Sequence, residues 1–217
     1  IGRASIRATH TVNQLLALAR AEGSGAQMAI FPCDLARLTM EVIQDSLHRA
    51  LEKRIDLGYD GPEPGSVGIA LDGNPTLLKE LIRNLVDNAI NYTPSTAEEP
   101  GVITARVLAD TATGSVILQV EDSGPGIGQT ERDLVFQPFY RTLGTDADGT
   151  GLGLAIVQEI ARRHGAEVKL DDTHPGHHAP GARFTVRFET RKEAGSVQVQ
   201  DKASRSSPPA PSLGPLL

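Results

Sequence analysis

The stretch KELIRNLVDNAINYTP, residues 79–94, carries the reading of the fold. At helical spacing Leu81, Leu85, Val86, Ala89 and Ile90 form an apolar stripe able to face a sheet. Glu80, Asn84, Asp87, Asn88 and Asn91 recur every three or four residues, so a helix places this polar set along one side. Asn74-Pro75 upstream supplies a cap and a proline suited to the first helical position, and Pro94 predicts an end at about Tyr92. Asparagine is not a favoured interior helix residue. Its accumulation beside an ordered apolar stripe fits either a solvated polar face or a binding site. Asparagine oxygens can coordinate Mg²⁺, their amide hydrogens can contact phosphate, and a nearby carboxylate can orient or deprotonate a hydroxyl.

Outward from this helix, the patterns alternate between helix and strand. A short strand is expected at Ala29–Phe31, followed by a helix from Pro32-Cys33-Asp34 to about Lys53 that buries Leu35, Leu38, Val42, Ile43, Leu47 and Leu51. Ile55–Tyr59 and Val67–Leu71 alternate as strands around a turn-rich GPEPG, and 102–109 and 115–121 read as a hairpin. A glycine-bearing connection from Asp122 to about Thr150 is long for a compact domain, which predicts a lid. A helix at Gly151–His164 and strands at 166–170 and 182–188 complete a set expected to pack helices on one face of a mixed sheet.

Composition narrows the function classes. Among 217 residues, 21 basic and 27 acidic side chains give a formal net charge of −6, which disfavours nonspecific binding of nucleic acid. A single cysteine, Cys33, forms no internal disulfide and no multi-cysteine metal site. No apolar run reaches the 18 or so residues of a membrane span, and no signal peptide opens the chain. Ile6, Val12, Leu15, Leu16 and Ala19 predict a short amphipathic helix over residues 5–21, too short to be stable without a partner surface. The tail from 191, with SSPPAPSLGP, has too little apolar material for a packed element and is expected to be disordered.

Two glycine segments add chemistry. DSGPGIG, residues 122–128, follows a predicted strand. Its Gly124, Gly126 and Gly128 permit close approach of a ligand, and Asp122 can accept from an exocyclic amine. GTGLGLAIV, residues 149–157, leads small residues into a helix whose free N–H groups can receive phosphate oxygens. It lacks the Gly-Lys-Ser/Thr of a Walker loop. Between them lies VFQPFYRTLGT, residues 135–145, whose Phe136 and Phe139 read as structural anchors and whose Arg141 suits a terminal phosphate.

In order and spacing, the asparagine helix, DSGPGIG, QPFYR and GTGLGLAIV together resemble the ATP-binding domain of sensor histidine kinases, within the wider gyrase, Hsp90 and MutL family. The resemblance covers about residues 27–190, and residues 1–24 resemble the end of the second helix of a dimerisation and phosphoacceptor domain. It implies a two-layer α/β sandwich with a mixed sheet and an ATP lid, the Bergerat-type fold. It implies Glu80 as the residue that orients or activates the phosphoacceptor, Asn84 and Asn88 as ligands of Mg²⁺, and Arg141 as a basic lid residue at the terminal phosphate. The implied ATP contacts further include Asp87, Asn91, Tyr92, Asp122, Gly124, Gly126, Ile127, Gly128, Phe139, Thr150, Gly151, Leu152, Gly153 and Leu154. Asn91 departs from a position where many relatives are basic.

The resemblance implies transfer of the ATP γ-phosphoryl group to a histidine on the dimerisation domain, and onward to an aspartate of a response regulator. His10 lies in RATHTVNQ, which lacks the acidic residue and proline of the usual phosphoacceptor motif, so the chain alone is expected to bind Mg-ATP without efficient autophosphorylation. The expected setting is the cytoplasmic side of a bacterial inner-membrane sensor whose remaining parts lie outside this sequence. A protein-serine kinase of the same superfamily and an ATP-gated interaction module are the alternatives. His174, His177 and His178 fit an exposed turn better than a zinc site.

Overall fold

A computed structural model describes residues 29–141 and 150–189. The expected helix at 5–21, His10, Gly149 and the tail from 191 lie outside the described residues. The elements are β1 (Phe31–Asp34), α1 (Leu35–Glu52), β2 (Asp56–Asp60), β3 (Ala70–Gly73), α2 (Pro75–Tyr92), β4 (Val102–Asp110) and β5 (Ser115–Asp122), then α3 (Gly153–Arg163), β6 (Glu167–Asp172) and β7 (Ala182–Glu189). Two 3₁₀ turns, Gln129–Glu131 and Leu134–Phe136, follow β5.

Five strands form one sheet in the order β2-β4-β5-β7-β6, in which β2 runs parallel to β4 and all other neighbours are antiparallel. β1 and β3 make a separate antiparallel pair. The period-2 alternation of the strands decides where the helices sit. Ile103, Ala105 and Val107 of β4, Val116, Leu118 and Val120 of β5, and Phe184, Val186 and Phe188 of β7 are buried on one face. Arg106, Glu121, Arg183 and Arg187 alternate onto the other face, where Arg106 bridges Asp60 and Glu121, Arg183 also reaches Glu121, and Arg187 meets Asp110. The expected mixed sheet with helices on one side is the observed architecture.

Helix α2 begins as the sequence dictates: Asn74 Oδ1 accepts from Thr76 N and Leu77 N at 3.1 Å each, and Pro75 opens the first turn. It is the centre of the helical layer, with Leu78, Leu81, Ile82, Leu85, Val86 and Ile90 fully buried and α1 and α3 packed against it. α1 and α2 run parallel in one register. Glu41–Lys79, Asp45–Arg83, Arg49–Asp87 and Lys53–Asn91 pair at a constant offset of 38 residues, one helical turn per rung.

The structure corrects three expectations. Leu47 and Leu51 are exposed, because the buried face of α1 is built by Leu35, Leu38, Val42, Ile43 and Ala50, and both leucines fall on the flank turned away from α2. The first strand is Phe31–Asp34 rather than Ala29–Phe31; Asp34 is the cap of α1, accepting from Arg37 N at 3.0 Å, so Pro32 lies in a strand paired only to β3. Val67 is almost fully exposed and precedes the strand, which starts at Ala70 after Gly68 adopts φ +86°.

His164 fastens the end of α3 to the start of α2. Its Nε2 accepts the Asn74 N–H at 3.0 Å while Nδ1 faces Ile160 O at 2.7 Å, an arrangement that requires a neutral ring protonated on Nδ1. Burial pushes its pKa below the ordinary histidine value, the Ile160 carbonyl opposes this, and Arg163 adds to the lowering. Since the unfolded chain then takes up the proton more readily, the contribution of His164 is complete above about pH 6.5 and is lost as pH falls. Urea unfolding should show wild type more stable than His164→Phe at pH 7.5 by roughly 1–3 kcal/mol, the penalty of leaving Asn74 N–H unpaired. The gap should narrow toward pH 5.5; a constant gap would remove histidine neutrality as its cause.

Candidate functional site

The polar set on α2 divides between two flanks. Asp87 and Asn91 face α1: Asp87 Oδ1 is 2.6 Å from Arg49 Nη1, and Asn91 Oδ1 accepts from Lys53 Nζ at 3.2 Å, while Lys53 also reaches Ile90 O. Glu80, Asn84, Asn88 and Tyr92, each one turn beyond the last, form the other stripe. Asn84 is buried and its orientation is fixed, since Nδ2 donates to Glu80 O at 2.8 Å and Glu80 Oε1 at 3.1 Å. Asn88 and Tyr92 are half-buried.

Asn84 Oδ1 meets the start of α3. A Cβ on Gly153 would lie 3.1 Å from that oxygen, so the missing side chain lets the helix begin against the asparagine. Among the described residues no side chain caps α3 at Leu152, so the positive end of the helix dipole lies beside Asn84. Leu152 and Leu154 are buried in the core, so their possible contribution to a ligand is through main-chain groups. Thr150 Oγ1 accepts from Leu152 N at 3.3 Å. Gly151, at φ +71°, packs so tightly that a Cβ would lie 2.8 Å from Tyr140 O and from the Phe139 carbonyl carbon, and Phe139 N donates to Gly151 O at 2.9 Å. This bond ties Phe139, inside the expected lid, to Gly151 just past its far end. Phe139 has φ +65° and is two-thirds exposed, so it is not the buried anchor its sequence context suggested; Phe136 takes that role, edge-on to Phe184 with ring centres 6.2 Å apart. Arg141 is exposed at the last described residue before 142–149.

Asp122 closes the other end of the site. Its Oδ1 accepts from Gly124 N at 2.8 Å and Ala182 N at 3.1 Å, and Oδ2 has no hydrogen-bond partner among the described residues. Burial pushes the carboxyl pKa up, and the two N–H groups counter that rise. A Cβ on Gly124 would lie 2.9 Å from Asp122 Oδ1 and 3.0 Å from Tyr92 O, bringing the carboxylate, the first glycine and the end of α2 to one place. Gly126, at φ +76°, packs on Pro180 and Gly181, while Gly181 N donates to Gly124 O at 2.9 Å. Gly128 is exposed, and Ile127 O accepts from Arg132 Nε at 3.1 Å.

These residues fit a nucleotide with its metal. A fixed asparagine oxygen stands at an uncapped helix start, glycines keep the cradle free of side chains, and a buried carboxylate lies at the far end of the same α2 stripe. Sequence reasoning missed the Gly181 N–H that holds Gly124 O and the Ala182 N–H that holds Asp122, because the PGAR segment carries no pattern of its own. It also missed Thr93 and Thr173, whose hydroxyl oxygens are the buried side-chain oxygens without a partner among the described residues. His174 and His177 stack loosely at 5.6 Å in their exposed turn; among the described residues no three His, Cys, Asp or Glu side chains group to hold a metal, and no helix is long and apolar enough to cross a membrane.

Comparison with known proteins gives a consistent result. Residues 73–192 match the family described as histidine kinase-, DNA gyrase B-, and HSP90-like ATPase. The signal transduction histidine-protein kinase/phosphatase MprB of Mycobacterium sp. (strain KMS) is 36% identical over 181 residues, which are 83% of this chain and 32% of the relative. Sensor protein QseC of Escherichia coli O157:H7 is 34% identical over 170 residues, 78% of this chain and 35% of the relative. The chain therefore spans about a third of the length of the curated relatives it matches. Among solved structures, a mycobacterial sensor histidine kinase MprB superposes with a TM-score of 0.57 at 28% identity, covering 74% of this chain and 96% of that one. Full-length ShkA in complex with AMPPNP superposes with a TM-score of 0.66 at 28% identity, covering 82% and 35%.

Proposed function

Because the chain belongs to the family of histidine kinase-, DNA gyrase B- and HSP90-like ATPases, we propose that it is the ATP-binding catalytic part of a two-component sensor histidine kinase. The observation that carries this reading is the Asn84 side chain, oriented by Glu80 and set against the N-terminus of α3. Asn84 and Asn88 hold Mg²⁺, and the α3 N–H groups and Arg141 receive phosphate oxygens. Asp122 accepts the exocyclic amine of adenine with the oxygen left open by Gly124 and Ala182, and Tyr92 lies beside the base. Mg-ATP, when bound, supplies the γ-phosphoryl group. Positioning and charge stabilisation dominate such a transfer. Glu80, already bonded to Asn84, lies next to the metal ligand it serves and orients or deprotonates the acceptor. Asp87 and Asn91 act through α1, and Lys53 brings a cation beside Asn91.

In the whole protein, the acceptor is a histidine of a dimerisation domain, and a response-regulator receiver domain takes the group onward. The domain then works on the cytoplasmic side of a bacterial membrane sensor. The relatives are named a histidine-protein kinase/phosphatase and a sensor protein, which supports this reading over the serine-kinase and interaction-module alternatives.

Given γ-labelled ATP, the chain alone should gain little label, whereas an added dimerisation and phosphoacceptor domain from the same protein should gain acid-labile label. Glu80→Gln should slow that transfer about 100-fold or more with ATP affinity kept. Acid-stable label on serine, or no transfer from a folded chain that binds ATP, would overturn the assignment.

A further inference from the structure

Phe139 holds a left-handed backbone at φ +65°, a conformation that costs a residue with a side chain and persists only where its surroundings hold it. Its own ring does not hold it, since two-thirds of Phe139 is exposed. The restraints lie on the main chain and on the next residue. Phe139 N donates to Gly151 O at 2.9 Å, Tyr140 N donates to Gln137 O at 3.2 Å, and the Tyr140 hydroxyl donates to Glu131 Oε1 at 3.0 Å. Glu131 ends the 3₁₀ turn that follows DSGPGIG, and the half-buried Tyr140 packs against the core. The hydroxyl bond therefore ties the segment before Arg141 to a turn nine residues back along the chain.

This clamp sits at the end of the site formed by Asn84 and the start of α3. The Tyr140 carbonyl oxygen lies 2.8 Å from where a Cβ on Gly151 would stand, and two residues later a Cβ on Gly153 would lie 3.1 Å from Asn84 Oδ1. The peptide linking Tyr140 to Arg141 is planar, so holding Tyr140 at its hydroxyl, its N–H and its carbonyl fixes where Arg141 leaves the backbone. We propose that Tyr140 is a positioning residue for the nucleotide: its hydroxyl, anchored on Glu131, keeps Phe139 left-handed against Gly151 and thereby sets Arg141 at the terminal phosphate. Without that bond Phe139 relaxes to a negative φ, which turns Arg141 away from the start of α3. The inference rests on the ATP-binding reading above and adds to it a hydroxyl–carboxylate pair from outside the asparagine and glycine motifs.

Calorimetry with Mg-ATP and with Mg-ADP separates this role from plain support of the fold, because only ATP carries the phosphate assigned to Arg141. Tyr140→Phe keeps the ring and its packing; it should weaken Mg-ATP about fivefold and leave Mg-ADP within about twofold of wild type. Arg141→Ala should show the same selective loss. Adding Tyr140→Phe to Arg141→Ala should cost no further ATP affinity, since the hydroxyl acts through the arginine. Glu131→Gln keeps an oxygen that accepts from the phenol and should bind ATP as wild type does, whereas Glu131→Ala should copy Tyr140→Phe. Should Tyr140→Phe fail to fold, Glu131→Ala gives the same comparison. Wild-type ATP affinity in Arg141→Ala or in a folded Tyr140→Phe, equal losses for ATP and ADP, or additive losses in the double variant overturn the positioning role alone. Absence of Mg-ATP binding by the wild-type chain overturns the ATP-binding reading together with it.

Discussion

Gly181→Ala is expected to destabilise the domain by at least about 3 kcal/mol, a large part of the roughly 5–15 kcal/mol that holds such a fold together. Two effects combine. Gly181 has φ +67°, which costs a residue with a side chain roughly 1–2 kcal/mol. A Cβ there would also overlap the main-chain oxygen of Asp122, which cannot rotate aside because β5 is paired on both edges. Relief requires β7 to move away from β5 at the point where Ala182 N holds the Asp122 carboxylate, so nucleotide affinity should fall with stability. Gly165→Ala is the internal control. Gly165 has φ +63° but nothing within 4 Å of its Cβ position, so it carries the backbone penalty alone. Urea unfolding of the two variants measures the difference, and equal losses would rule out the contact with Asp122.

Asn84→Ala is expected to weaken Mg-ATP binding on the order of 100-fold, close to 3 kcal/mol, with little change in unfolding free energy. The small structural effect follows from what Asn84 bonds to. Among the described residues both Nδ2 bonds go to Glu80 on the same helix, and alanine has the higher helix propensity, which offsets their loss. The large binding effect follows from the oxygen that Glu80 holds in place at the start of α3. Calorimetry with and without Mg²⁺ tests the assignment directly. The variant and wild type should differ strongly with the metal and converge in EDTA; a deficit that persists unchanged in EDTA would show that Asn84 acts on the nucleotide by another route.

Much of the fold was legible in the order of residues. Asn74, Pro75 and Pro94 marked the ends of α2 because capping and proline geometry are local, and the alternation in β4, β5 and β7 marked their buried face because side chains in a strand change sides at every residue. The motifs named the candidate site for the same reason: glycines and a carboxylate at fixed spacing restrict the backbone wherever they occur. Leu47 and Leu51 were misread because periodicity gives an apolar face but not its width, and the neighbouring elements cover only one flank of α1.

The sequence by itself therefore determined the elements, the single buried face of the sheet and the identity of most candidate ligands, all consequences of interactions within a few residues of chain. Tertiary structure decided which of those ligands meet. Asn84 meets the start of α3, and Asp87 and Asn91 turn to α1, because two helices 38 residues out of register pair turn by turn and claim one flank of α2. Asp122 owes its place to Ala182, 60 residues away along the chain, and Arg132 reaches Asp172 across 40. Spacing along one segment cannot encode such contacts, since they depend on how the packed layers bring distant segments together.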